Sequence, residues 1–271
     1  MLRLPENLCD WTYISQGHNG VKMHTRLTVV SKDICFPDKI VPSTGKVSDF
    51  ESSDFLIEED ETTYVMDRGY PSKKNVTDWL NKGISFVTRI TKNLVLYTVK
   101  KYTPTLPNVV RDEIVNFGIS DIPVRYIEFT DDKDRMYRIL TTRFDLTDEE
   151  ILEIYKNRWI IELFFKWIKG HLKFTKIWST KPQGIWNQMF LALIAYSASL
   201  IIKLQIGTSK TIWPFFRLLQ TYLYLSRKEF VKELNRKKKK SKGPQKVPIP
   251  PTKKEPVYGD VALVRKTKKK K

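Results

Sequence analysis

Residues 155–169 read YKNRWIIELFFKWIK, and this stretch decides how the rest of the chain is interpreted. At about 100° of rotation per helical residue, its polar members fall within one arc of roughly 80°. These members are Tyr155, Arg158, Glu162, Lys166 and Lys169. Apolar residues point in all other directions, which predicts a largely buried helix. Buried charges are costly unless they line a functional cavity, so we interpret the arc as an active-site wall.

A solvated, salt-bridged helix face is the alternative interpretation. Glu162 lies four residues from both Arg158 and Lys166, so two ion pairs are available along the helix. A solvated face is usually broad and accompanies one apolar stripe, whereas here the proportions are reversed. A single acid among cations also suits a divalent metal that sits beside phosphates.

The spacing of the polar residues resembles a known signature. Tyr155, Arg158, Glu162 and Lys169 resemble the YREK motif of DDE transposases of bacterial insertion sequences. Upstream, residues 63–70 read TYVMDRGY, which is similar to the strand of that family that ends in an aspartate followed by Arg-Gly-Tyr. An isolated Asp67 would be interpreted as a strand-end or capping residue. Paired with the YREK motif, it is by resemblance the second catalytic acid.

The resemblance covers most of residues 18–205 and implies a fold and an activity. The implied fold is α/β, a ribonuclease H-like mixed sheet flanked by helices, with a β-rich insertion before the last catalytic helix. The implied activity is metal-dependent DNA strand cleavage and strand transfer. The implied partners are double-stranded DNA, as transposon ends and target, and a second copy in a homodimeric synaptic complex.

The same resemblance assigns roles to the motif residues. Asp67 and Glu162 are the expected catalytic acids and metal ligands of a two-metal Mg²⁺ site, with Mn²⁺ as a substitute. Such metals activate the attacking hydroxyl and stabilise the leaving oxygen at phosphorus. The expected DNA-binding residues are Tyr155, Arg158, Lys166 and Lys169, which position phosphates without reading bases.

One departure from the family pattern concerns the first acid of the DDE triad. By resemblance it should lie at or just before Met1, and no such residue is present. We therefore expect an N-terminally truncated and catalytically impaired transposase. Asp10 is the nearest substitute, but it follows a turn-like segment and suits a loop better than a strand end. The rival interpretations are a noncatalytic DNA-binding remnant that acts as a repressor, and a nuclease limited to hydrolysis.

Charge is distributed unevenly along the 271 residues. The formal net charge is +18, and residues 236–271 contribute +13 of it, from 15 Lys or Arg against 2 acids. The remaining body therefore carries only +5. This tail has too few apolar residues to pack, which predicts disorder. Its charge predicts a polyanion partner, and a solubilising terminus is the alternative.

Periodicity and turn residues predict the organisation of the chain. We expect four regions: 1–93, the first part of the ribonuclease H-like core; 94–145, the β-rich insertion; 146–235, the helical part with the YREK helix; and 236–271, the disordered basic tail. Within them, strands are predicted near 22–30, 62–66, 84–90, 94–99, 124–129 and 136–142, and helices near 72–81, 185–204 and 212–226. Thr147 and Glu150 form a capping box that begins the YREK helix.

Other features narrow the class of protein. Cys9 and Cys35 have no metal-ligand spacing and indicate a reducing compartment. The resemblance implies a bacterial cytoplasm with nucleoid association. The apolar run 189–202 is shorter than the about 20 residues that span a bilayer, which favours a core helix and no membrane partner. Trp159 and Trp178 offer stacking surfaces for a flipped base, although aromatic residues in apolar segments are more often core.

Overall fold

The structure is a computed structural model that describes residues 2–4, 10–15, 18–31, 33–92, 94–117, 122–172 and 176–236. The expected disordered tail, apart from Arg236, lies outside the described residues, as does Cys9. The strands are β1 (Leu2–Leu4), β2 (Tyr13–Ser15), β3 (His18–Ser31), β4 (Ile34–Thr44), β5 (Tyr64–Met66), β6 (Phe86–Arg89), β7 (Leu96–Lys101), β8 (Val109–Phe117), β9 (Pro123–Thr130) and β10 (Met136–Thr141). The helices are α1 (Asp49–Leu56), α2 (Lys73–Asn81), α3 (Asp148–Asn157), α4 (Trp159–His171), α5 (Pro182–Ile206), α6 (Ile212–Thr221) and α7 (Arg227–Leu234).

The strands form two sheets. In the first, the long strand β3 pairs antiparallel with β1, β2 and β4. The second has six strands in the order β5-β6-β10-β9-β8-β7. Only β5 and β6 pair in parallel within it, while the remaining neighbours are antiparallel. The β-rich segment therefore continues the sheet that carries β5, and the expected α/β architecture with a mixed sheet and flanking helices is confirmed.

Three apolar clusters hold the layers together. The first joins β1 and β3 to α4 and α5, through residues such as Val21, Ile168 and Leu193. The second packs α2 on one face of the six-stranded sheet, where Trp79 meets Phe86 edge to face. The third packs α3 on the sheet through Ile151 and its neighbours. Helices α2 and α3 therefore cover the six-stranded sheet, and α3 leads directly into α4, which carries Glu162.

Local sequence signals explain where the helices begin. The capping box of Thr147 and Glu150 is present at the start of α3, as the sequence predicts. Ser72 caps α2 by accepting a hydrogen bond from the backbone of Asn75. A further capping box, Ser48 with Glu51, begins α1, which the periodicity analysis missed because this helix has almost no apolar stripe.

The segment 155–169 departs from the single buried helix that its sequence predicts. Arg158 separates α3 from α4, so Tyr155 belongs to the earlier helix. Within α4 only Phe164 and Ile168 are buried, and Trp159 is 55 % exposed. The prediction of a helix buried on all sides was wrong because one side of α4 packs on the first cluster while the opposite side faces solvent. Trp178, 68 % exposed, is likewise not a core residue.

Helix α5 also differs from its prediction. It runs for 25 residues, well beyond the apolar run 189–202, and one of its sides remains exposed. By length and composition alone it is the one described helix able to cross a membrane, although only 33 % of its most apolar window is buried. Residues such as Leu193 and Leu200 bury one side of α5, as expected of a core helix, while its other side is exposed. Core helices of globular proteins pass the same length and composition test.

Candidate active site

A cavity of about 1160 Å³ lies between the two sheets and α4. Its wall includes residues of β3, the end of β5, the beginning of α1 and one side of α4. Six of its charged lining residues matter for chemistry: Asp49, Asp67, Arg158, Glu162, Lys166 and Lys169. Acids and cations thus share one concave surface large enough for a ligand.

Asp67 enters this cavity from the end of β5. Parallel pairing of β5 with β6 leaves the strand end at the cavity, and the chain turns immediately afterwards. The turn is stabilised by Asp67 itself, whose Oδ1 accepts a hydrogen bond of 2.9 Å from the backbone N–H of Gly69. The carboxylate is therefore held at a defined place and retains a second oxygen for other ligands.

Glu162 enters from the first turn of α4. Its Oε1 accepts a hydrogen bond of 2.9 Å from Nη2 of Arg158, four residues earlier. Burial lowers the pKa of Arg158, but the bond to Glu162 and the charge of Asp67 outweigh burial and raise it overall. Both carboxylates therefore lie within electrostatic range of one guanidinium. Sequence separates Asp67 and Glu162 widely, and the structure places them on the wall of the same cavity.

The structure brings a third carboxylate to this wall, that of Asp49, which the sequence analysis missed. Its Oδ1 lies 3.4 Å from Nδ1 of His24 and 3.6 Å from Nζ of Lys22. The hydrogen bond with His24 holds the pKa of Asp49 below its usual range; burial opposes the shift and Lys22 adds to it. The capping box at Ser48 was the only sequence signal for this position, and it predicts a helix start rather than a site.

Three of the four expected DNA-binding residues line the cavity, and one does not. Arg158, Lys166 and Lys169 line the cavity, whereas Tyr155 does not. Tyr155 is 8 % exposed and packs in the third apolar cluster, and its burial raises its pKa. Among the described residues, Lys166 and Lys169 form no ion pair, so both ammonium groups are available to an anion. Asp10, the substitute considered for the first acid, begins a short 3-10 turn and not a strand end.

The donors of the cavity fit a hard divalent cation. Asp49, Asp67 and Glu162 offer carboxylate oxygens, the ligands that Mg²⁺ and Mn²⁺ prefer. Mg²⁺ typically uses one or two carboxylates and completes its shell with water and substrate phosphates. Within the part of the chain that the structure describes, no three His, Cys, Asp or Glu side chains are gathered closely enough to hold a metal together. Among the described residues, the side chains therefore suit a cation that is held by two acids at most.

The sequence matches the family model of the transposase DDE domain over residues 8–198. It is 27 % identical over 198 residues to a probable transposase for insertion sequence element IS5377 of Geobacillus stearothermophilus, covering 70 % of this chain and 52 % of the relative. It is 27 % identical over 221 residues to the putative transposase y4zB of Sinorhizobium fredii, covering 78 % and 60 %. It is 26 % identical over 196 residues to a putative transposase for element IS4SA of Synechocystis, covering 69 % and 55 %. The matched part thus spans between half and three fifths of each relative.

Proposed function

This chain belongs to the transposase DDE domain family, and we propose from that premise that its cavity binds the phosphodiester backbone of double-stranded DNA as an insertion-sequence transposase. The observation that supports this most directly is that Asp67, Glu162, Lys166 and Lys169 all line the same cavity. Members of the family generally use divalent metal ions, and transposases act on DNA. We further propose that the chain belongs to the YREK group and works at the bacterial nucleoid.

Each side chain has a proposed task. Asp67 and Glu162 would hold the divalent ions, Mg²⁺ or in its place Mn²⁺, which when bound would supply activation of the attacking hydroxyl and stabilisation of the leaving oxygen. Arg158 orients Glu162 towards the cavity through their hydrogen bond. Lys166 and Lys169 neutralise two backbone phosphates and so place the scissile bond, without distinguishing one base sequence from another. Tyr155 supports Arg158, with its ring 5.9 Å from the guanidinium.

Strand cleavage by the 271 residues alone is proposed to be weak. Asp67 and Glu162 occupy two of the motif positions, and among the described residues no group of three His, Cys, Asp or Glu side chains lies close enough to share a metal. This observation favours a second candidate function, a noncatalytic DNA-binding transposase that represses an active relative by occupying its DNA sites or by pairing with it. In either case the working unit is proposed to be a homodimer that synapses two transposon ends.

We also propose a role for each region of the chain. Residues 1–93 and 146–235 would form the catalytic core, residues 94–145 the β-rich insertion, and residues 236–271 a basic tail that binds DNA without sequence preference. Since β10 pairs with β6, the insertion would act as a rigid extension of the core sheet.

Phosphate binding by the cavity is tested with paired lysine variants. The Lys166→Ala, Lys169→Ala double variant removes two phosphate contacts, so the slope of log K against log salt on duplex DNA should shrink by about 1.8. A Lys228→Ala, Lys232→Ala variant in α7 removes the same charge away from the cavity and should retain more of the slope. An equal decrease of the slope in the two variants would show that the cavity lysines act only through net charge.

Metal binding and cleavage are tested separately. Mn²⁺ binding, followed by electron paramagnetic resonance, should be abolished in Asp67→Asn and in Glu162→Gln, and retained in Glu149→Gln, an exposed residue of α3. The unmodified chain should bind duplex DNA yet fail to nick it in Mg²⁺ or Mn²⁺. Efficient cleavage that depends on Glu162 would overturn the proposed impairment and make Asp49 the leading candidate for a third acid. Mn²⁺ binding that ignores both substitutions would overturn the site itself.

A further inference from the structure

Helix α5 presents one narrow side to solvent, and its composition is unusual for an exposed surface. The exposed residues along this side are Asn187, Leu191, Ile194, Ala198, Ile201 and Gln205, which we call the α5 stripe. Leu191, Ile194 and Ile201 are 57 %, 61 % and 55 % exposed. Large side chains so exposed in a row indicate a surface that is covered by something else.

The spacing of the stripe specifies what can cover it. Its members follow each other at alternating intervals of four and three residues and fall within an arc of roughly 80°. Such a narrow seam is typical of helices that pair along their length, whereas a helix packed on a broad surface shows a wider apolar side. The occupant that fits is therefore a single helix with a matching seam.

The order of residues along the stripe is self-complementary. Amide residues Asn187 and Gln205 stand at the two ends, and apolar residues stand between them. If a second copy lies antiparallel, Leu191 meets the partner's Ile201, and Ile194 meets the partner's Ala198. Two-fold symmetry requires each such contact to occur twice, and this arrangement satisfies it, with a large residue facing a small one at the centre.

Charge favours the same occupant. The protein carries a formal net charge of +18, of which +13 lies in residues 236–271 and +5 in the rest, so two copies carry like charge and repel each other. Between Pro182 and Ile202 the helix contains no charged residue at all. The α5 stripe is therefore a place where two copies can approach without bringing like charges together.

A bilayer is a poor occupant because the opposite side of α5 is fixed to the protein. Tyr196 donates a hydrogen bond of 3.0 Å to the backbone carbonyl of Cys35 in β4. Leu193 and Leu200 are buried in the first apolar cluster. Lipid therefore cannot surround this helix, and only its exposed side is left to a partner.

We propose that two copies of this chain associate through the α5 stripe, with the two α5 helices antiparallel. The proposal names the surface of the homodimer suggested above and rests on that suggestion, but its test uses neither DNA nor metal. The stripe is about 27 Å long, so two helices alone bury less than the roughly 1,600 Å² of a standard interface. The dimer is accordingly weak and depends on protein concentration.

The test measures molar mass by sedimentation equilibrium in about 0.5 M salt, where interactions between exposed charges are screened. The full chain should rise with concentration from 31.9 kDa towards twice that mass. Leu191→Glu alone and Ile201→Lys alone should each remain at the lower mass, with unchanged circular dichroism. Leu163→Glu is the matched control, because Leu163 is 51 % exposed on α4, and it should associate as the unmodified chain does.

Recombining the charges tests the orientation. The Leu191→Glu, Ile201→Lys double variant should associate again, because each glutamate then faces the partner's lysine. An equimolar mixture of the two single variants should also form a heterodimer. Failure of both to recover association would overturn the antiparallel register. A molar mass of 31.9 kDa at every concentration would show that a second copy does not cover the stripe. If such a monomer also floated with lipid vesicles, the stripe would bind lipid instead.

Discussion

Asp49 and Asp67 face each other across Gly69: Oδ2 of Asp49 and Oδ1 of Asp67 each lie 3.2 Å from the position that a Cβ atom on Gly69 would occupy. One carboxylate comes from the start of α1 and the other from the end of β5. Two neighbouring acids repel unless a cation attends them, and Nζ of Lys22 lies 3.6 Å from Oδ1 of Asp49. Because Gly69 has no side chain, it leaves room for both carboxylates at the cavity wall.

We predict that Gly69→Ala destabilises the protein by about 1 kcal/mol, because an added methyl group meets two carboxylate oxygens at less than ordinary contact distance. Gly170→Ala is the matched control. A Cβ atom there meets nothing within 4 Å, and Gly170 lies in α4, so alanine should stabilise the helix by up to about 1 kcal/mol. Urea denaturation of both variants measures the difference. Equal free energies of unfolding for the two variants would show that the two carboxylates move away from the added methyl group without cost.

The buried ion pair between Arg125 and Asp112 should contribute strongly to the stability of the β-rich region. The pair joins β9 to β8 at 2.6 Å, and the side chains are only 7 % and 2 % exposed. Arg125→Ala leaves Asp112 buried without its partner, which costs about 3–5 kcal/mol. Arg135→Ala removes an exposed partner of Asp131 and should cost less than about 1 kcal/mol. Chemical denaturation of both variants checks this, and similar decreases in stability would contradict it.

The stability of the junction between the start of α3 and the loop that joins β7 to β8 should fall in acid. Burial alone would raise the pKa of Asp148, but hydrogen bonds from Thr105 and Leu106 outweigh it and hold that pKa below its usual value. A depressed carboxylate pKa contributes stability that is complete above the unfolded value of about 3.9 and disappears as pH falls below it. We expect Asp148→Asn to lower stability at pH 7 and to lessen the further decrease at pH 3.

The measurement for Asp148 is the free energy of unfolding at the two pH values. Glu149→Gln changes the charge of the neighbouring exposed position by the same amount and serves as the control. If the Asp148 variant and the control show the same acid dependence, the hydrogen bonds of Asp148 do not stabilise its ionised form.

Deletion of residues 236–271 should flatten the salt dependence of DNA binding. The deletion removes a net charge of +13, and the slope of log K against log salt falls by about 0.9 for every duplex phosphate that the chain no longer neutralises. A chain of full length in which glutamine replaces the tail lysines controls for length. Identical slopes with and without the tail would leave it only a solubilising role.

The sequence determined by itself the features that depend on neighbouring residues. Thr147 and Glu150 predict the start of α3 because a capping box is made within one turn. The strand at Tyr64–Met66 and the helix after Ser72 follow from period and turn residues in the same way. The mixed α/β class follows from the alternation of such elements, and the spacing of the YREK-like residues indicates the family.

Only the tertiary structure decided which distant residues meet and which sides are covered. Asp49 joins Asp67 because the start of α1 and the end of β5 lie at the same cavity, a relationship without local sequence spacing. Tyr155 does not line the cavity because it packs in the third apolar cluster, and Trp159 is exposed because no described element packs on its side of α4. The physical reason is that periodicity reports how a segment divides its apolar and polar residues. Burial depends on neighbours that arrive from elsewhere in the chain, or from a second copy of it.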